Sequence, residues 1–269
     1  MKHLLSFLLF IAIVRHGISQ DIPLNHSSQD LGLKQRSDRL MDASPKDVGI
    51  DSALLHLNID RIMRQALDSA AFPGAVVLLA KDGKVFFEKA YGYHTYAAEN
   101  SVDATDIYDL ASVTKTTAAT LALMKLYDNG QFDLEKTMGD YWPKIAKRGK
   151  DDLVMRDVLA HQAGLKAWIP YWSESQRRNG KYRWNTVKSD SSRRFPYKLS
   201  DAGLWMHKDF KEKKIYRMIK RTKVSDEKKY LYSGLAFYLI PEFVERTTGQ
   251  PFDVYLAKEF YSPLGARTL

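Results

Sequence analysis

Apolar positions change period along the chain. From residue 51 to 69, Leu54, Leu57, Ile59, Ile62, Met63 and Leu67 recur near every three to four residues. That spacing predicts an amphipathic helix, with Asp51 or Ser52 as its cap. Pro73-Gly74 breaks the chain, and Ala75 to Ala80 is a continuous β-rich apolar run. Lys81-Asp82-Gly83-Lys84 is a turn signal followed by Val85-Phe86-Phe87-Glu88, which predicts a β-hairpin with strands over 75–80 and 84–90. Strand signals end near residue 110. Ser112 to Tyr127 is nearly apolar all round, which predicts a buried helix stopped by Asn129-Gly130. Further helices are predicted over 153–161, 208–222, 234–248 and 251–260, with Pro241 kinking or restarting the third of these. Residues 170–205 carry many aromatics and cations without a period and read as a long irregular loop.

The first residues follow a different logic. Lys2 and His3 precede an eleven-residue apolar run, Leu4 to Val14, which is too short to cross a bilayer. Gly17-Ile18-Ser19 supplies small residues at the positions a signal peptidase needs. Residues 1–19 therefore read as an export signal, residues 20–47 as a polar linker, and residues 48–269 as the folded domain. The expected location is periplasmic or extracellular, with no membrane span beyond the signal.

Composition narrows the chemistry. With 269 residues, 45% apolar and 27% charged, the chain is long enough and apolar enough to bury a core. There is no cysteine, which excludes disulfides, thiolate catalysis and cysteine-ligated zinc or iron–sulfur sites. The seven histidines show no metal-ligand spacing, and neither G-x-S-x-G nor a phosphate-binding glycine loop is present. No cofactor is expected. The net charge of +9 is unevenly spread: between Arg177 and Lys229, eighteen lysines and arginines face six acids. No nucleic-acid motif accompanies that charge, so nucleic acid is not an expected partner. A solvated basic face is the plain reading; beside a site, such a face would draw anionic substrates or acidic glycans.

Ser112-Val113-Thr114-Lys115 matches S-x-x-K, and so does Ser225-Asp226-Glu227-Lys228. Context separates them. The second lies in a charged stretch that water solvates. The first opens the apolar helix, where i, i+3 spacing puts both side chains on one face. A serine at a helix start meets free N–H groups, and a lysine in apolar surroundings loses proton affinity. Together they make an activated nucleophile. The competing reading makes Ser112 an N-cap and Lys115 a snorkelling surface cation.

Asp109-Leu110-Ala111-Ser112-Val113-Thr114-Lys115-Thr116 resembles the nucleophile motif of the serine β-lactamase and penicillin-binding-protein superfamily, and in particular its class C β-lactamase, esterase and D-aminopeptidase branch. In the same order, Leu159-Ala160-His161-Gln162-Ala163-Gly164-Leu165 is similar to that branch's L-L-T-H-x-S-G-L turn. Tyr232-Ser233-Gly234-Leu235-Ala236-Phe237-Tyr238-Leu239 is similar to its Y-S-N-x-x-Y-x-L stretch. Tyr255-Leu256 and Tyr261-Ser262-Pro263-Leu264-Gly265 are similar to the segments that close its helical part.

The resemblance implies an α+β fold, an antiparallel sheet flanked by helices beside an all-helical subdomain, divided here as 48–109 and 110–262. It implies that Ser112 is the nucleophile, Lys115 its base partner and Tyr232 a second acid/base group; the plain alternative for Tyr232 is one more core aromatic. His161 is expected to satisfy backbone groups. Two departures stand out. Gly234 occupies the substrate-binding position where the branch has Asn or Asp, and its K-T-G or H-x-G motif is missing. Thr247-Thr248-Gly249 imitates that motif but reads as a helix stop. In the resembled fold the remaining strands, and one of two oxyanion N–H donors, follow the helical part, so the sheet is expected to stay incomplete in this chain. The implied activity is an exported serine hydrolase acting on a small-molecule or cell-wall peptide substrate: an ester, a D-amino-acid peptide or a β-lactam. The alternatives are a catalytically silent binding relative, a weakly active fragment, or a basic surface-binding protein with an incidental S-x-x-K.

Overall fold

The computed structural model describes residues 40–199 and 203–266. The export-signal reading over 1–19 and most of the linker reading over 20–47 lie outside them. Two compact units divide the described chain, one over residues 110–258 and one over residues 40–109 and 259–266.

The second unit holds the hairpin. Helix α1 spans Ser52–Asp68, and the Asp51 carboxylate accepts from the Leu54 N–H at 2.8 Å, capping its first turn. Strands β2 (Gly74–Lys81) and β3 (Lys84–Gly92) pair antiparallel around Asp82-Gly83. Both turn residues have positive φ, +53° and +75°, as a tight hairpin with right-handed twist needs. A third strand, β1 (Met41–Asp42), runs parallel to β3 and gives the order β1-β3-β2. It falls inside the stretch that reads as linker, because two residues carry no period. Leu54, Leu57, Ile62 and Leu78 stay exposed, and Met63 and Phe87 are buried.

The first unit is mainly helical. Its apolar opening helix is not one α-helix. Ala111–Val113 is a 3₁₀ turn, Lys115–Thr120 is wound as a π-helix, and α2 covers Leu121–Asp128. Thr116 and Thr117 both donate to the Val113 carbonyl, and Thr120 donates to the Lys115 carbonyl at 2.8 Å. Such back-bonding draws carbonyls off the regular ladder. The helix is also not buried all round: Ala118, Ala119, Ala122, Leu123 and Leu126 face the core, whereas Met124 and Tyr127 are exposed.

Short helices α3 (Met138–Tyr141) and α4 (Met155–Leu159) follow. The predicted loop over 170–205 and the all-helical expectation both need correction. Strands β4 (Val187–Lys188), β5 (Tyr197–Lys198) and β6 (Trp205–Met206) form a small antiparallel sheet in the order β4-β6-β5. Each strand is two residues long, below the length at which alternation is visible. The chain then forms α5 (Arg217–Arg221), α6 (Ile240–Thr248) and α7 (Phe252–Leu256). Pro241 sits in the first turn of α6, where its missing N–H costs nothing, and Gly249 at φ +70° ends that helix. Leu126, Met138, Met155, Ile219, Leu239, Ile240 and Val244 form the core. Phe243 completes it, with ring centroids 4.9 Å from Tyr141, 5.8 Å from Trp142 and 5.9 Å from Phe132.

Candidate active site

Four sequence-picked residues, Ser112, Lys115, Tyr232 and Gly234, converge within the first unit. Ser112 sits on the 3₁₀ turn, one residue after Ala111, whose φ of +44° is costly for a residue with a Cβ. The turn leaves Ser112 exposed and, through Thr114, leads into the helix that Lys115 opens. Lys115 is half-buried, and its Nζ donates to Ser112 Oγ at 3.1 Å. The same amino group stands 5.4 Å from the Tyr232 ring centroid and 5.8 Å from that of Phe237, against the π-faces that suit a cation.

Tyr232 belongs to an irregular segment, 222–235, and remains 44% exposed. Burial pushes its phenol up, but hydrogen bonds to Ser112 and Lys115 and the lysine's charge outweigh that effect. The hydroxyl is held below the ordinary tyrosine value. Gly234 is adjacent. A Cβ there would lie 3.7 Å from Lys115 Cε, an ordinary contact, so the position faces the lysine and has room for a side chain.

The second S-x-x-K makes no such arrangement. Ser225 Oγ accepts from the Glu227 N–H at 3.3 Å, and Lys228 Nζ donates to the Ala163 carbonyl at 3.2 Å. Both residues are exposed and neither lies on a helix.

Two residues outside the expected catalytic set join the site. Phe237 covers Lys115, and His161 packs its ring 4.6 Å from that of Tyr232. The L-x-H-x-x-G-L turn marked His161 in the sequence; Phe237 carried no signal beyond its place in the tyrosine stretch. Burial and the nearby Lys115 charge hold His161 below the usual imidazole value, against the upward pull of its hydrogen bond with Ser233. Chemically, a serine bonded to a lysine and flanked by an acidified phenol can form and release an acyl ester. Among the described residues, no group of three or more His, Cys, Asp or Glu side chains is placed to hold a metal. No described helix is long and apolar enough to cross a membrane.

A family model described as Beta-lactamase matches residues 59–268. The chain is 27% identical over 240 residues to an N-acetylmuramyl-L-alanine amidase of Bacillus subtilis (strain 168), covering 82% of this chain and 48% of that protein. It is 30% identical over 243 residues to a protein of Salmonella agona (strain SL483) named "Putative D-alanyl-D-alanine carboxypeptidase", covering 85% of this chain and 50% of the other. A solved class C β-lactamase superposes with a TM-score of 0.56 at 17% identity, over 82% of this chain and 51% of that one. The chain thus spans about half the length of the curated relatives it matches.

Proposed function

The chain belongs to the β-lactamase family, and on that footing we propose that it is the nucleophile-bearing part of an exported serine hydrolase that cleaves an ester or amide through an acyl-enzyme on Ser112. The observation that carries this reading is the 3.1 Å Lys115–Ser112 bond with the Tyr232 ring 5.4 Å from the same amino group. When Lys115 acts as the base, the bond runs the other way and Ser112 O–H donates to Nζ. Oγ then attacks the substrate carbonyl carbon while its proton passes to Lys115. The tetrahedral intermediate collapses, the bond to the leaving group breaks, and the Tyr232 hydroxyl protonates the departing alcohol or amine. Water then attacks the acyl ester, giving a proton back through Tyr232 and Lys115 and freeing Ser112. A phenol with a lowered pKa suits that two-way traffic.

The names of the two curated relatives support a cell-wall peptide as substrate and a location outside the cytoplasm, as does the apolar run over Leu4–Val14. Gly234 favours a small ester or D-amino-acid peptide over a β-lactam, because it offers no side-chain amide to the substrate or to Lys115. The same glycine also supports a second reading, a silent relative that binds without turnover. A substrate panel separates them. Hydrolysis of an aryl ester or a D-alanyl-D-alanine peptide, with an acyl adduct trapped by acid quench, fits the hydrolase. Salt-sensitive binding of those ligands with no product and no adduct contradicts it.

A further inference from the structure

We propose that His161 is a positioning residue for Tyr232. This rests on the reading of Tyr232 as the site's acid/base group.

Tyr232 needs an external hold. Residues 222–235 form neither helix nor strand, so no regular ladder fixes the phenol. His161 grips the chain on both sides of it. Its carbonyl accepts from the Leu231 N–H at 2.9 Å, and its Nδ1 accepts from the Ser233 N–H at 3.2 Å. Its ring then lies 4.6 Å from the Tyr232 ring and 5.8 Å from that of Phe237, with Tyr230 edge-on at 6.1 Å. Two further bonds hold the downstream side, Ser233 Oγ to the Lys166 carbonyl at 2.7 Å and the Gly234 N–H to the Ala167 carbonyl at 3.1 Å. Neither constrains residue 231. His161 alone spans the tyrosine among these bonds.

The backbone of His161 is adapted to this task. Its φ is +61°, a left-handed conformation in which histidine, asparagine and aspartate are over-represented. An extended backbone here would send the ring elsewhere. The Nδ1 acceptor also requires a neutral imidazole with its proton on Nε2. The charged and titratable groups that face the ring are Lys115, Tyr232 and Tyr230, and the lysine's charge opposes protonation.

Two variants test this on the full chain. His161→Asn keeps an acceptor near Nδ1 and tolerates the left-handed backbone; His161→Ala keeps neither the acceptor nor the ring. Acylation by an aryl ester should slow about tenfold or more in His161→Ala, a fraction of the loss expected for an acid/base group itself. His161→Asn should recover most of the rate. In the double variant with Tyr232→Phe, His161→Ala should add less than about a twofold loss, because both changes remove one function. Independently of turnover, ¹³Cζ-tyrosine NMR should show the Tyr232 titration moving up in His161→Ala and not in His161→Asn. Additive losses in the double variant, or a Tyr232 titration that stays put in His161→Ala, would overturn the proposal. Absence of any adduct in the parent chain would overturn the hydrolase reading instead, and the NMR titration would still decide the role of His161.

Discussion

Tyr232 is under two opposing pressures, and the outcome defines its chemistry. Partial burial disfavours phenolate, while bonds to Ser112 and Lys115 favour it and prevail. Replacing it by Phe keeps the ring packed, tilted, beside His161 and near the Lys115 amino group but removes the hydroxyl. Acylation should fall about 10²-fold or more while the far-UV spectrum and melting midpoint hold. Rates within twofold of the parent would reduce Tyr232 to a packing residue. The Ser112–Lys115 contact was legible in the sequence because i, i+3 spacing makes neighbours on a helical turn. Choosing it over Ser225–Lys228 needed only the contrast between an apolar and a charged surrounding. The Ala111 backbone and the His161–Tyr232 contact were not legible. The first is a conformation that alanine rarely shows, and the second joins residues about seventy positions apart with no shared period.

At the scale of elements, period and punctuation located most boundaries. Asp51 caps α1 and Asp82-Gly83 turns the hairpin, each as local chemistry dictates. The failures have one cause. Strands of two residues and the π-wound turn over Lys115–Thr120 owe their form to tertiary contacts and threonine back-bonding, which single-chain periodicity does not register. Packing of α6 makes a firm prediction. Phe243 meets Phe132, Tyr141 and Trp142 and lies under Arg246, whose guanidinium also donates to the Tyr141 carbonyl at 2.8 Å. Phe243→Ala should cost about 3–5 kcal/mol of unfolding free energy. A loss under about 1 kcal/mol in denaturant titration would mean that the cluster is not close-packed.

Across the whole molecule, one cation is set apart by its burial. Lys150, outside the basic stretch, is fully buried, and its Nζ donates to the Lys147 carbonyl at 2.7 Å and to the Thr222 carbonyl. Burial, helped by the Arg148 charge and resisted by Asp151, pulls its pKa down to about 8. Between that value and the ordinary lysine value the unfolded chain holds a proton that the folded chain has released. Stability contributed at this position therefore rises with pH across the window and is constant below it. Relative to Lys150→Met, the parent should gain unfolding free energy from about pH 8 to about pH 10.5. A flat difference would show that the carbonyl cage keeps the ammonium charged throughout. The sequence showed the charge asymmetry but could not single out this lysine, since burial of a cation depends on which carbonyls the fold brings to it.

The most direct test of the account is to label the chain with a fluorophosphonate or fluorescent penicillin and map the adduct by peptide mass spectrometry. Ser112, with Lys115 at hydrogen-bond distance and Tyr232 beside it, should carry the label. Ser112→Ala should lose it, and Ser225→Ala should retain it. A label on Ser225, or an unmodified Ser112 under saturating probe, would contradict the assignment of nucleophile on which the proposed chemistry depends.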